Sequence, residues 1–276
     1  LQQASFYSSS VSADRQHYLE QQVRETDLKK SPAVIILPAD SYQLMQVDVA
    51  EIPKAEQRDA VRWKISERLD YPAADAVIDL FEVEPFSSEK KPALYAVSAQ
   101  QQILRQWLAI SKQSGLAISA IDIPEFSLRN ICELFTEDER GLAVLLLLKH
   151  NGVLVIVRDG TLYLVRWLSI GMDDLLAVSK QDDEALAEQI DSIVLEIQRS
   201  FDYCESNFHL PLVSRLLVAQ TQNEIPEVVH SLNEYLSVNV EAFSFENILE
   251  VPEGSQQIEL NRCLFAIGGA LRQENN

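Results

Sequence analysis

Four histidines, three cysteines, eight glycines and an excess of carboxylates are the residues of this chain that could do chemistry. Their spacing rules most of it out. His17, His150, His209 and His230 never stand at i, i+4, and none has a Cys-x-x-Cys neighbour, so the ligand patterns of a zinc site are missing. There is no Gly-x-Ser-x-Gly turn to present a serine nucleophile, and no cysteine with a nearby histidine signature. Glycine is scarce, about 3 % of the chain against a usual ~7 %. Phosphate-cradling loops need glycine, because the backbone must turn with positive φ and approach the ligand closely. Gly115, Gly141, Gly152, Gly160, Gly171, Gly254, Gly268 and Gly269 form neither Gly-x-Gly-x-x-Gly nor Gly-x4-Gly-Lys-Ser/Thr. The residues alone therefore argue against a nucleotide site, and the expectation is a non-enzyme with no cofactor and no metal.

Asp and Glu number 42 and Lys and Arg 23, for a net charge of −19. With so many carboxylates, chance acid pairs carry no weight. Asp173-Asp174 and Asp182-Asp183-Glu184 open helical patterns and read as caps that favour the helix dipole. The charge excludes a nucleic-acid binder and a polybasic lipid-docking face. The longest apolar run, Leu142 to Leu148, is far short of the ~20 residues that span a bilayer, so no direct membrane insertion is expected. Cys132, Cys204 and Cys263 are odd in number and sit in apolar helical patterns, as small core residues of a reducing compartment do. The chain starts at Leu1 without Met or a signal peptide, which suggests a trimmed chain.

The elements that must position these residues follow from periodicity. Residues 1–12 suggest a short edge strand and a Ser-rich turn, and 13–29 a helix. Ala33 to Leu37 suits a strand buried on both faces. Residues 42–114 read strand, helix, strand, strand, helix, a compact αβ module with a hairpin loop at 87–91. In its first helix Val61, Ile65 and Leu69 mark the buried face, while Trp63 lies off it, resting on a neighbouring strand or open to a partner. In its second helix Ile103, Leu104, Trp107, Leu108 and Ser111 form the inner side, and Gly115 suits the C′ cap. A strand at 117–122 and a helix from Pro124 follow. Asn151-Gly152 and Asp159-Gly160 between apolar runs predict a three-stranded meander. A long helix at about 183–206, a strand at 214–218, a helix at 226–236, a strand at 238–240 and a final helix at 259–272 complete the chain. Gly268-Gly269 inside that last helix costs about 1 kcal/mol each. Close packing is the expected reason, a ligand the other. The order meander, long helix, strand, helix, strand fits one lobe of an actin-like fold rather than a doubly wound sheet.

Specific residues then carry a resemblance. Trp63-Lys64-Ile65, Leu69-Asp70-Tyr71-Pro72, Ile78-Asp79, Val97-Ser98-Ala99, Ser114-Gly115-Leu116 and Ala120-Ile121-Asp122-Ile123 resemble the PilM family of pilus-assembly proteins. Ile121 to Glu125 with Leu128-Arg129-Asn130 points to the branch that serves the MSHA pilus. Val157-Arg158-Asp159-Gly160, Arg166, Gly171, Glu196 to Ser200 and Asp202-Tyr203 extend the match through the second half.

The resemblance implies a two-lobed actin-like ATPase fold. Residues 1–140 would form the first lobe, with an αβ module inserted at about 42–116. Residues 141–258 would form the second, with the boundary near 136–141, and 259–276 would return to the first. It also implies a cytoplasmic scaffold at the inner face of the inner membrane. Its partner would be the cytoplasmic tail of a PilN-like (MshJ-like) bitopic inner-membrane protein, with the assembly ATPase as a possible second. Ile121, Glu125 and Arg129 are the candidate partner-binding residues; an ordinary i, i+4 surface pair of Glu125 and Arg129 is the bland alternative. Relatives in this family bind ATP, and three departures put that in doubt. The leading hairpin would precede Leu1. Leu146 and Leu148 stand where the second hairpin should carry Asp and Gly. Ala219-Gln220-Thr221-Gln222 stands where a glycine-rich adenosine loop is expected. The implied function is a pilus-assembly scaffold with a degenerate nucleotide site. An active ATP-binding PilM-type protein and a GspL-like secretion domain are the alternatives.

Overall fold

The computed structural model describes residues 1, 3–4, 6–8, 12–26, 28–48, 53–85, 92–135, 140–180, 182–246 and 248–273. The chain forms two compact units. Unit 1 gathers Leu1–Phe6, Pro85–Lys90 and Glu125–Asn276; unit 2 gathers Tyr7–Glu84 and Lys91–Pro124. The lobe boundary expected near 136–141 and the loop expected at 87–91 fall mostly or wholly outside the described residues.

Unit 2 holds α1 (Ser12–Glu25), β1 (Pro32–Ile36), β2 (Tyr42–Val47), α2 (Lys54–Ile65), β3 (Ala76–Val83), β4 (Ala93–Gln100), α3 (Gln101–Gln113) and β5 (Ala117–Asp122). Described residues before α1 form no strand. β1 and β5 make a parallel pair from Pro32 opposite Ala117 to Ile36 opposite Asp122, with a bulge at Ala33/Val34. β1 is half-buried rather than buried on both faces, since it has a single strand neighbour. β2, β4 and β3 form a three-stranded antiparallel sheet. α2 packs on it through Val61 and Ile65, both fully buried with Met45, Val47, Ile78 and Ala96. Trp63 does not rest on a strand: it is 84 % exposed. In α3, Ser111 is buried, but Leu108 faces solvent rather than the inner side. α3 ends as its sequence predicts, with Gly115 at φ +86° and the Leu116 amide donating back to the Ser111 carbonyl.

Unit 1 is built on α4 (Pro124–Cys132), β6 (Leu142–Leu147), β7 (Gly152–Arg158), β8 (Thr161–Leu168), α5 (Met172–Val178), α6 (Asp183–Phe208), β9 (Arg215–Gln220), α7 (Pro226–Tyr235), β10 (Asn239–Ala242), α8 (Gln257–Arg262) and α9 (Leu264–Ala270). Its sheet runs β10-β9-β6-β7-β8, parallel across the first three strands and antiparallel across the meander. β6 is buried at every residue. Leu142, Val144 and Leu146 join one core with Leu128 and Ile131 of α4 and with Leu260, Leu264 and Ile267. α6 buries a stripe from Leu186 through Ile190, Ile193, Ile197 and Cys204 to Phe208; Asp182 caps it, accepting from the Glu184 and Ala185 amides at 3.0 Å each. The final helix is broken at Cys263 into α8 and α9.

All three cysteines are free and buried, and burial pushes the Cys204 thiol up to about 12. Only the thiolate attacks a disulfide reagent. Ellman's reagent at pH 8 should therefore release almost no colour from the native protein, and three equivalents after denaturation. Rapid native labelling at Cys204 would contradict this packing.

Candidate functional site

Ligands of α/β sheets collect at the carboxyl ends of parallel strands, so the ends of β6, β9 and β10 are the first place to look. The β6–β7 turn, Lys149-His150-Asn151, is closed by the start of α5: the Met172 amide donates to the Leu148 carbonyl at 2.8 Å and the Asp173 amide to Lys149 at 2.9 Å. Gly171 lies so close that a Cβ there would sit 2.4 Å from the Asn151 nitrogen and 2.5 Å from the His150 carbonyl carbon. Asp174 Oδ2 accepts from the Gly171 amide at 2.9 Å, the capping role read from sequence. Asp173 Oδ1 accepts from Gln222 Nε2 at 2.8 Å, and Asp173 Oδ2 lies 3.2 Å from His150 Nδ1.

The end of β9 is equally occupied by the protein's own groups. Gln220 and Thr221 are buried. Gln220 Oε1 accepts from the Ile225 amide at 2.9 Å, and its Nε2 donates to the Ile225 carbonyl at 3.3 Å. Thr221 donates through amide and hydroxyl to the Leu147 carbonyl, at 3.1 and 2.8 Å. α8 closes the segment from above: Asn261 Nδ2 donates to the Gln220 carbonyl at 2.8 Å and Arg262 Nε to the Thr221 carbonyl at 2.7 Å. Among the described residues no group of three or more His, Cys, Asp or Glu could hold a metal ion.

The sequence-derived partner residues are placed as follows. Ile121 is half-buried in β5, opposite Ile35. Glu125 is 1 % exposed and accepts from Trp167 Nε1 at 3.1 Å, so its carboxylate is a core acceptor and is not presented to a partner. Arg129 donates to Asn130 Oδ1 at 2.8 Å, lies over the Phe126 ring at 5.0 Å, and pairs with Glu133, one turn further on, at 3.8 Å.

Sequence reasoning missed a cleft of about 650 Å³ in unit 2. Ile103, Trp107 and Ile110 of α3 give it an apolar wall, with Arg15 of α1 and Pro38, Asp40 and Ser41 of the segment entering β2 opposite. The Arg15 guanidinium lies over the Trp107 ring at 5.8 Å. The one hint in the sequence was Ile103 and Trp107 sharing a helix face; its facing wall comes from residues far away in the chain.

These elements define an actin-like α/β fold. A solved structure, the PilM–PilN type IV pilus biogenesis complex, matches with a TM-score of 0.72 at 20 % identity, over 94 % of this chain and 84 % of that chain. The cytoplasmic domain of EpsL, an inner-membrane component of the type II secretion system of Vibrio cholerae, matches with a TM-score of 0.46 at 12 % identity, over 94 % and 82 %. No family model matches the sequence, and no curated protein matches it. Among the described residues no helix is long and apolar enough to cross a membrane.

Proposed function

We propose that this chain is a PilM-like, MshI-type cytoplasmic scaffold of an MSHA-type pilus assembly machine, held at the inner face of the inner membrane. It grips the cytoplasmic tail of a PilN-like (MshJ-like) protein, and its nucleotide position is degenerate. The lobes are those implied by the sequence: 1–140 with its inserted module, 141–258, and a closing segment at 259–276. The fold likeness to a PilM–PilN complex supports the class. The observation that carries the partner reading is the α1/α3 cleft, whose apolar wall, with Arg15 and Asp40 among its lining residues, suits a short apolar tail with polar flanks. This cleft replaces Glu125 and Arg129 as the proposed groove, because Glu125 is buried. The degenerate site is supported by Gln220 and Thr221, whose polar groups are spent on the fold itself.

A fluorescence anisotropy titration with a labelled tail peptide tests the partner. Binding is expected, with Trp107→Ala weakening it at least about tenfold, roughly 1.4 kcal/mol. Glu125→Gln and Arg129→Ala should leave it unchanged. Failure of the folded chain to bind any such tail would remove the partner. Thermal melting with Mg-ATP tests the other half. A ligand at about 100 times its Kd stabilises by about 2.7 kcal/mol, which at ~2–4 °C per kcal/mol is a rise of several degrees. No rise is expected; a reproducible one would establish a working site.

A further inference from the structure

The solvent side of α6, in unit 1, takes no part in that reading. Glu184, Glu188, Asp191, Leu195, Gln198, Asp202 and Glu205 follow one another at steps of four and three, and all are exposed. That spacing draws one seam along the helix, the pattern against which a second helix packs. At 1.5 Å per residue it runs for about 30 Å. A solvated helix face ordinarily interleaves both signs, because like charges three or four residues apart repel. This seam holds five carboxylates and no cation. None of the five forms an ion pair among the described residues, whereas Glu196, off the seam, is held by Arg166 and Arg199. At the middle of the seam Leu195 is 46 % exposed, and Gln198 Nε2 donates to the carbonyl of Tyr235, itself 54 % exposed. Gln198, Asp202 and Glu205 border a pocket of about 210 Å³ whose apolar lining includes Phe201, Leu236 and Leu212, the last 40 % exposed. An apolar cavity of ~150 Å³ holds a benzene ring, so this one admits a large apolar side chain. An exposed apolar patch rimmed by polar groups marks a contact site.

We propose that this face docks a cationic amphipathic helix of another protein, its Lys and Arg side chains against the α6 carboxylates and one apolar side chain in the pocket beside Asp202. Three observations select that occupant. The sign of the charge excludes nucleic acid and anionic lipid, whose phosphates the carboxylates repel, and it disfavours a second copy of this chain, at net −19. The apolar centre at Leu195, Leu212 and Tyr235 asks for more than charge, since a purely polar polycation would leave it exposed. The steps of four and three ask for a helix, whose own side chains recur at that spacing, rather than for an extended strand. Docking relieves the like-charge repulsion along α6. The charges then set on-rate and orientation, while the anchor in the pocket excludes water and slows release. The seam belongs to unit 1 and the α1/α3 cleft to unit 2, so the two contacts use different residues.

Fluorescence anisotropy of a labelled model peptide, titrated with the 276-residue chain, tests it at about 0.15 M salt, where the Debye length of ~8 Å screens general attraction. The peptide has about 22 residues, enough to follow the seam, with lysines and a central leucine pair placed four and three apart and alanine elsewhere. A scrambled peptide of the same composition is its control. The patterned peptide should bind at least about tenfold more tightly than the scrambled one. Asp202→Lys with Glu205→Lys should weaken it at least about tenfold, and Leu195→Ser at least about threefold. Glu246→Lys with Glu253→Lys makes the same change of charge at exposed positions elsewhere in unit 1, and should leave binding within about twofold. All of these side chains are exposed, so unchanged melting curves will show that the variants fold. Equal binding of the two peptides, an equal loss in the Glu246/Glu253 variant, indifference to Leu195, or no binding by the folded chain would each overturn the proposal. So would self-association in sedimentation equilibrium that disappears with Asp202→Lys and Glu205→Lys, which would give the face to a second copy.

Discussion

Placing aspartate at Leu146, the position where the family resemblance expects a carboxylate, should unfold unit 1 at neutral pH and create no nucleotide site. Leu146 is 1 % exposed. It stands opposite Val153 on β7 and Ala219 on β9, in the core that Leu128, Ile131 and Leu264 close. The change gives up about 1.5–3 kcal/mol of leucine burial. It also strands a carboxylate with no cation in that core, at a cost of several kcal/mol more. A whole domain is stable by only about 5–15 kcal/mol. The new group can reduce its penalty only by staying protonated, so its folded pKa must rise above the unfolded value of about 3.9. The folded state then binds the extra proton. The penalty is smallest below the unfolded pKa and grows as pH rises toward the folded one. Leu146→Asp should therefore melt far below the parent at pH 7, and the gap should narrow near pH 4. Melting curves followed by circular dichroism across that range decide it. A variant that melts with the parent at pH 7 and gains stability from Mg-ATP would show that the position belongs to a site rather than to the core.

What the sequence could and could not reveal follows from the range of the interactions involved. The meander was legible because its signals are local. Asp159 and Gly160 take φ of 49° and 71°, the two left-handed residues that a tight hairpin turn requires. The apolar run from Ala33 to Leu37 misled, because burial on both faces needs strand neighbours on either side and β1 has only β5 among the described residues. The fold class came from the order of such elements. Of α5 only the start was legible, from Asp173-Asp174; seven residues barely complete two turns, and what seats the helix is the contact of Gly171 with the turn at His150-Asn151. The break at Cys263 was hidden for a related reason. Asn261 and Arg262 reach carbonyls some forty residues back in the chain, and no period in the helix announces that. At the candidate site the limits were sharper. Glu125 reads as a surface acid because acids usually are, yet its acceptor role for Trp167 sits 42 residues away. Periodicity placed Trp63 off the buried stripe, but whether anything covers it depends on parts of the fold that the pattern of α2 does not contain. The cleft at Trp107 needed α1 and the 38–41 segment brought to α3, again a non-local fact.

Gly268→Ala should lower stability sharply, against the sign that helix propensity alone would give. Alanine is worth about 1 kcal/mol over glycine inside a helix. Here the added Cβ would stand 2.0 Å from the Ser127 carbonyl oxygen and 2.6 Å from its carbon. Those are backbone atoms of α4, and Ser127 is fully buried, so no flexible side chain can move aside. α9 would have to withdraw from α4, which threatens a second interaction. Asn130, 3 % exposed, donates its Nδ2 to the Gly268 carbonyl at 2.9 Å. Overpacking of this kind costs about 1–3 kcal/mol, and a buried amide left without its acceptor about 1–3 more. At ~2–4 °C per kcal/mol, the melting temperature should fall by about 5–20 °C. Ala266→Gly, at an exposed position of the same helix, supplies the comparison. It should lose only the propensity, about 1 kcal/mol. If Gly268→Ala instead stabilised the protein, or fell no further than Ala266→Gly, the glycine would not be there to let two helices touch, and a ligand against that surface would become the better explanation.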